Sequence, residues 1–357
     1  MKVRVLRRPD FHIGLTLVLL LAFLLLAITP AFAAGKNPGG GLVVVANRGS
    51  GSVAIIDAHR GTLADTVMLP AGPNTPEPMY VVYSPIGNLV LVGDRANDRV
   101  VAFNANTFAV EKLIPTDAGV FHMWADTQMQ QLWVAADAAR TYTVIDLVSL
   151  EPVASVPIPA DLAALGGFPH DVILDPLRPL AFVTILGVAG DNDYVVQYDT
   201  KSFLETGRAA VGKDPHVSLA SQNNKLYVPA QNSNIVTVLD RVSMAELDEI
   251  AVPGAHGAGM RQDGRVFYTT NLPGGGSGGL VAIDTSTDTV IAPATDTPYP
   301  VPHNIALSPN GRKLFLTHSG GTADKVTIYF TRPNDPRPIY FSEVTVGLNP
   351  FGLAYVP

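Results

Sequence analysis

The sequence predicts an all-β protein: a seven-bladed β-propeller with four antiparallel strands per blade. Three observations carry that prediction. A short stretch, Pro169-His170-Asp171-Val172, recurs as Pro215-His216-Val217, Ala255-His256-Gly257 and Pro302-His303-Asn304, and as Val120-Phe121-His122 without the proline. Pro78-Met79-Tyr80 and Pro350-Phe351-Gly352 are copies that lack the histidine, and positions 79, 122, 170, 216, 256, 303 and 351 lie 43, 48, 46, 40, 47 and 48 residues apart. Between the copies run triplets of short apolar or alternating segments split by Gly, Pro, Asn and Asp, which read as strands and tight turns. Finally, the chain opens on such a triplet (42–70) and ends on a lone first strand (351–356), so the two ends complete one blade between them and hide both sheet edges.

The elements follow in order. Lys2, Arg4, Arg7 and Arg8 precede the apolar run Ile13 to Ile28, and Ala31-Phe32-Ala33 supplies a small-x-small cleavage pattern. Residues 1–33 therefore read as a secretory signal, about sixteen apolar residues being short of the roughly 20 that a membrane span needs. The expectation is an exported protein, periplasmic or extracellular, with an uncleaved N-terminal anchor as the alternative. Residues 34–41 form a flexible lead-in, and 42–357 form the propeller. The middle strand of each triplet is the easiest to follow: Val53 to Asp57, Val100 to Asn104, Tyr142 to Asp146, Val195 to Asp199, Ile235 to Asp240, Leu280 to Asp284 and Val326 to Phe330. Five end in Asp, whose side chain opens the following turn through its own hydrogen bonds. The inner strands start at the repeated stretch and end near Tyr83, Ala125, Leu174, Ala220, Met260, Leu307 and Val356. Trp124 and Trp133 fall in strands and are expected in the core.

Composition excludes several function classes. With 24 Lys and Arg against 31 Asp and Glu the net charge is −7, and it nears −10 once residues 1–33 are removed. No basic cluster follows residue 33, so neither nucleic acid nor an anionic membrane is expected as partner. The chain has no cysteine. That rules out disulfides, covalent haem attachment, Fe–S clusters and blue-copper thiolate sites, and leaves His, carboxylate or carbonyl to hold any metal. A chain of this length buries a core without disulfides, and a monomer is expected.

The units resemble the YVTN family of propeller repeats, whose pattern runs roughly P-x-G-[VI]-A-[VI]-S-P-D-G, then L-Y-V-T-N, then V-x-V-[IL]-D. The residues that carry the resemblance are Pro302 to Gly311, Leu314-Phe315-Leu316-Thr317-His318 and Lys225-Leu226-Tyr227-Val228. The resemblance implies the fold, within a superfamily that also holds lactonase-like and nitrous-oxide-reductase-like propellers, and says little about function.

The first strand of a propeller blade lines the central channel. His122, His170, His216, His256 and His303 are accordingly expected to converge on one channel mouth, with Met79 and Phe351 completing the ring. Inheritance of a Pro-His repeat without any ligand is the bland explanation. The last residues of the second strands (Asn47, Asp94, Asp137, Gln231, Asn271 and His318) are expected on the same face as an outer ring. There, and from Asp171, Asp214 and Asn304 beside the histidines, second imidazole nitrogens find partners that fix their tautomers. The inserted loops 186–193 and 273–279 follow second strands, and 162–168 and 292–301 precede first strands, so all four should surround the mouth.

Imidazoles without thiolate suit copper or iron, with zinc the further choice. The arrangement is similar to the axial histidines of nitrous oxide reductase, the carotenoid oxygenases and haem-binding nitrite reductase propellers, although none of their motifs is present. The expected function is transition-metal binding for redox chemistry or metal handling, acting on a small molecule at the mouth and served by a redox partner protein. If the protein is an enzyme, that makes it a metal-dependent oxidoreductase. The alternative is a non-enzymatic periplasmic or cell-surface interaction platform. Lower ranked are enzymes similar to lactonase propellers, which hold an ion with oxygen ligands, or to streptogramin lyases.

Overall fold

Seven four-stranded antiparallel sheets form the described part of the chain, a computed structural model that covers residues 40–357 apart from 127, 221 and 333. The expected signal segment, 1–33, lies outside the described residues. No helix among the described residues is long and apolar enough to cross a membrane. The only α-helix described is Ala160–Ala164, one turn within the insertion ahead of the fourth blade.

The blades arrange around the ring as the repeat count predicts. In the first, strand Leu42–Asn47 pairs with Ser52–Asp57 on one side and with the C-terminal strand Pro350–Val356 on the other, so the chain's ends close the ring. The other inner strands are Pro78–Ser84, Val120–Asp126, Phe168–Leu174, Ser218–Ala220, Ala255–Met260 and Pro302–Leu307. The turns after the third strands work as expected from sequence: Asp146 Oδ1 accepts the N–H groups of Val148 and Ser149, and Asp199 and Asp240 repeat the pattern.

Second and third strands are buried on both faces, which is why they read as near-continuous apolar runs. Adjacent residues serve different cores: Trp133 packs with Tyr142 and Val183 between the third and fourth blades, and Val134 packs with Leu91 and Met123 between the second and third. Seven such clusters fill the gaps between neighbouring blades. Trp124 departs from expectation: it is 43% exposed while its cross-strand partner Trp133 is fully buried.

The inner strands share one irregularity that positions the site. In six blades the ladder between first and second strands slips at the repeated stretch: between Pro78 and Val81, Val120 and Met123, Pro169 and Val172, Ala255 and Ala258, Pro302 and Ile305, and opposite Val45 to Asn47 in the first blade. In the fifth blade, Pro215 pairs with Ala230 as an isolated bridge ahead of strand Ser218–Ala220. Such bulges turn the chain and re-aim side chains. Here each bulge sets two consecutive residues, rather than one, at the channel end.

Candidate metal centre

The bulges define two levels at the channel end. Counting from the residue that pairs last before each slip, the first bulge residues are Met79, Phe121, His170, His256, His303 and Phe351, and the second are Tyr80, His122, Asp171, Gly257, Asn304 and Gly352. His216 takes the first position in the fifth blade without a slip, between the Pro215–Ala230 and Ser218–Tyr227 pairs. This corrects the sequence alignment of one copy. Val120 occupies the proline position, so Phe121 is the equivalent of His170 and His122 stands one residue further along its strand. Met79 is likewise fully buried in apolar surroundings, and it is Tyr80 that stacks on His122, with ring centroids 3.7 Å apart.

In three blades the neighbouring strand fixes the bulge with a threonine. Thr184 Oγ1 accepts the Asp171 N–H at 2.8 Å, Thr270 Oγ1 that of Gly257 at 2.9 Å, and Thr317 Oγ1 that of Asn304 at 3.0 Å. Gly257 admits close approach: a Cβ there would lie 2.2 Å from the His303 carbonyl oxygen.

All five predicted histidines reach the ring. Ring contacts run His122–His170 at 4.8 Å, His170–His216 at 4.6 Å, His216–His256 at 4.0 Å and His256–His303 at 4.8 Å, and Phe351 follows His303 at 4.2 Å. His122, His170 and His216 form a triad whose ligand atoms lie within 4.8 Å of one another. The Nε2 atoms of His170 and His216 are 2.9 Å apart, which suits an N–H···N hydrogen bond. It also suits two cis ligands of one ion, because metal–nitrogen bonds of about 2.0 Å at right angles place their nitrogens about 2.8 Å apart.

Of the expected supporting residues, the structure brings two to the histidines. Asp171 Oδ1 lies 2.9 Å from His122 Nδ1, while Oδ2 accepts the Val217 N–H at 3.0 Å. The carboxylate thus accepts the hydrogen bond of Nδ1–H and leaves His122 Nε2 as the lone-pair nitrogen. Asn304 Nδ2 donates to His303 Nδ1 at 2.8 Å and to the Phe351 carbonyl at 3.2 Å. The others bind elsewhere, since side chains ending a second strand serve the loops they enter. His318 is held between Pro300 O at 3.1 Å and Thr327 Oγ1 at 2.9 Å. Asp94 pairs with Arg99, Asn47 donates to Ser52 Oγ, and Asn271 caps Gly274. Asp214 donates only its backbone N–H to Asp193 Oδ2, and its partly buried carboxylate is near enough to the ring to interact electrostatically with His122.

The residues that sequence reasoning missed are Tyr80 and Phe121. Period-2 alternation sends each of them away from the channel, and only the bulge puts both residues of a pair there.

The ring is drier than a channel mouth suggests. His122, His216, His256 and His303 are between 2% and 6% exposed. Burial, reinforced by neighbouring imidazoles, holds His170, His216 and His303 well below the ordinary histidine range, and His256 falls to about 3. These four are therefore neutral at neutral pH, the protonation state in which imidazole ligates metal. Several nitrogens also have no hydrogen-bond partner among the described residues: His122 Nε2, His216 Nδ1 and both ring nitrogens of His256. Buried polar atoms are normally satisfied; these four nitrogens leave hydrogen-bonding capacity within the ring unused by the protein.

No protein-family model and no curated protein sequence matches the chain. Solved structures do resemble it. Hydrazine synthase of Kuenenia stuttgartiensis aligns at a TM-score of 0.64 with 15% identity, over 78% of this chain and 90% of that one. The periplasmic gluconolactonase of Pseudomonas aeruginosa aligns at 0.69 with 16% identity, over 89% and 99%. A Lactobacillus plantarum protein gives the same score at 15%, over 89% and 99%. The chain shares their propeller fold. At such identities the likeness speaks for fold alone.

Proposed function

We propose that this YVTN-like propeller is an exported protein that holds a transition metal, copper or iron in preference to zinc, on His122, His170 and His216. The observation that carries the reading is the triad itself: three imidazoles from consecutive blades, two buried and one half-buried, one with Nδ1 bound to Asp171 and its Nε2 unpartnered. Three nitrogen donors with no thiolate match these metals. When bound, such an ion supplies an open coordination position for a small molecule, with redox or Lewis-acid character.

The chain's own residues do the rest. Asp171 orients His122 and raises its basicity as a donor. Tyr80 and Phe121 wall the triad, Phe121 lying 4.9 Å from His170, and so keep bulk water from the imidazoles. His256, beside His216 with both nitrogens free, can accept or donate a hydrogen bond to whatever enters. A small molecule as substrate and electron supply from a partner protein belong to the same proposal.

Mature protein loaded with copper, iron or zinc, desalted and measured by ICP-MS, tests this. The proposal expects about one ion per chain, lost in a His170→Ala/His216→Ala variant. Absence of stoichiometric metal in the wild type after loading with all three would leave the interaction-platform alternative.

A further inference from the structure

The inner strand of the seventh blade carries His303 near one end and runs at the other into the turn Ser308 to Lys313. That turn borders a cleft of about 700 Å³ where the seventh blade meets the first. Arg312, Lys313 and Arg332 stand in its walls, with Phe330, Ile339 and Tyr355 as apolar surface, and no Asp or Glu is among the described residues that line it. A groove of about 200 Å³ shares Arg312 and Arg332 and adds Arg261 and Arg265. Its one acid, Asp263, is engaged by Arg261 at 2.7 Å. Five cations thus face one carboxylate, in a chain whose net charge is −7.

Within the cleft itself no carboxylate among the described residues contacts a cation, although Asp57 acts on Lys313 and Asp335 on Arg332 from outside it. Lys313 Nζ donates to the carbonyls of Ala58 and His59 at 2.8 and 2.7 Å and lies 5.5 Å from the centre of the Phe330 ring. It is pinned at the blade junction without a carboxylate in contact. Arg312 and Arg332 are exposed and form no ion pair among the described residues. Ordinary surface arginines stand on convex ground. These two share a concavity of the size that encloses a small ligand, and guanidinium forks suit phosphate and carboxylate.

We propose that this cleft binds a small organic anion, an apolar or aromatic body bearing a phosphate or carboxylate, independently of the histidine ring. The charged group meets Arg312 and Arg332 while the body lies along Phe330 and Ile339. Calorimetric titration of the metal-free protein with 1-naphthyl phosphate, 2-naphthoate and inorganic phosphate tests it. The expected result is binding of at least one naphthyl compound more tightly than inorganic phosphate, weakening as salt rises. An Arg312→Ser/Arg332→Ser variant, altered only at exposed positions, should bind about tenfold more weakly or worse with an unchanged melting temperature. The His170→Ala/His216→Ala variant should bind as the wild type does, which separates this cleft from the proposed metal site. Equal binding by the arginine variant would overturn the proposal. So would no binding of either naphthyl compound at millimolar concentration.

Discussion

From His122 to His216 the imidazoles of the ring meet at steep angles, 57° to 80°, and turn nitrogens toward a shared space. From His256 to Phe351 the same repeat position produces packing: His256 and His303 stack at 22°, and His303 rests on Phe351. The difference lies in the second bulge residue. On the first arc that position holds His122 and Asp171, which bind each other and add a donor from the second level. On the second arc it holds Gly257 and Asn304, a glycine that lets backbone in and an amide that occupies His303 Nδ1. One repeated tetrapeptide can thus build either a ligand set or a stacked wall.

Breaking the first arc should have the largest effect. Alanine at His122, His170 or His216 is expected to weaken copper binding by about a hundredfold or more, whereas His256→Ala should stay within about threefold, measured by competition with a chromogenic chelator. Asp171→Asn, which removes the carboxylate from His122 without removing a donor, should cost about 10- to 100-fold in the same assay.

The second arc should answer in stability instead. Gly257→Ala forces a methyl against the His303 carbonyl and should lower stability by about 1–3 kcal/mol in urea unfolding, with metal affinity nearly kept. Acid should act on the metal-free ring as a whole. His256 titrates near 3 when folded and near 6.5 when unfolded, so the unfolded chain binds more protons between those values. Stability should then be flat above pH about 6.5 and fall as pH drops below it, by about 1.4 kcal/mol per unit from His256 alone. The smallest effect is expected at His318. His318→Gln keeps a hydrogen-bonding group near Pro300 and Thr327 and should cost about 1 kcal/mol while leaving metal binding unchanged.

Much of this was legible in the sequence. The blade count, the closure through residues 42–47 and 350–356, and the convergence of five histidines all follow from the spacing of one tetrapeptide. What stayed hidden has one physical cause. Alternation along a strand assumes a regular ladder, and the ladder slips at the repeated stretch in six of the seven blades. Without the pairing of Val120 with Ala136, nothing marks Val120 as the counterpart of a proline, so Phe121 and His122 cannot be ranked. Nor does a sequence show that Asp171 reaches the preceding blade's histidine while Asp94 turns to Arg99 and Asn271 to its own loop. Those choices are made by side-chain reach across blade gaps, at distances that only the assembled ring sets.

Copper(II)-loaded protein examined by pulsed EPR is the most direct measurement, because it counts coordinated imidazoles. Three imidazole nitrogens are expected in the wild type, three in His256→Ala, and fewer in His122→Ala. A wild-type spectrum without imidazole coupling, or one that changes with His256→Ala and not with His122→Ala, would contradict a metal centre on His122, His170 and His216.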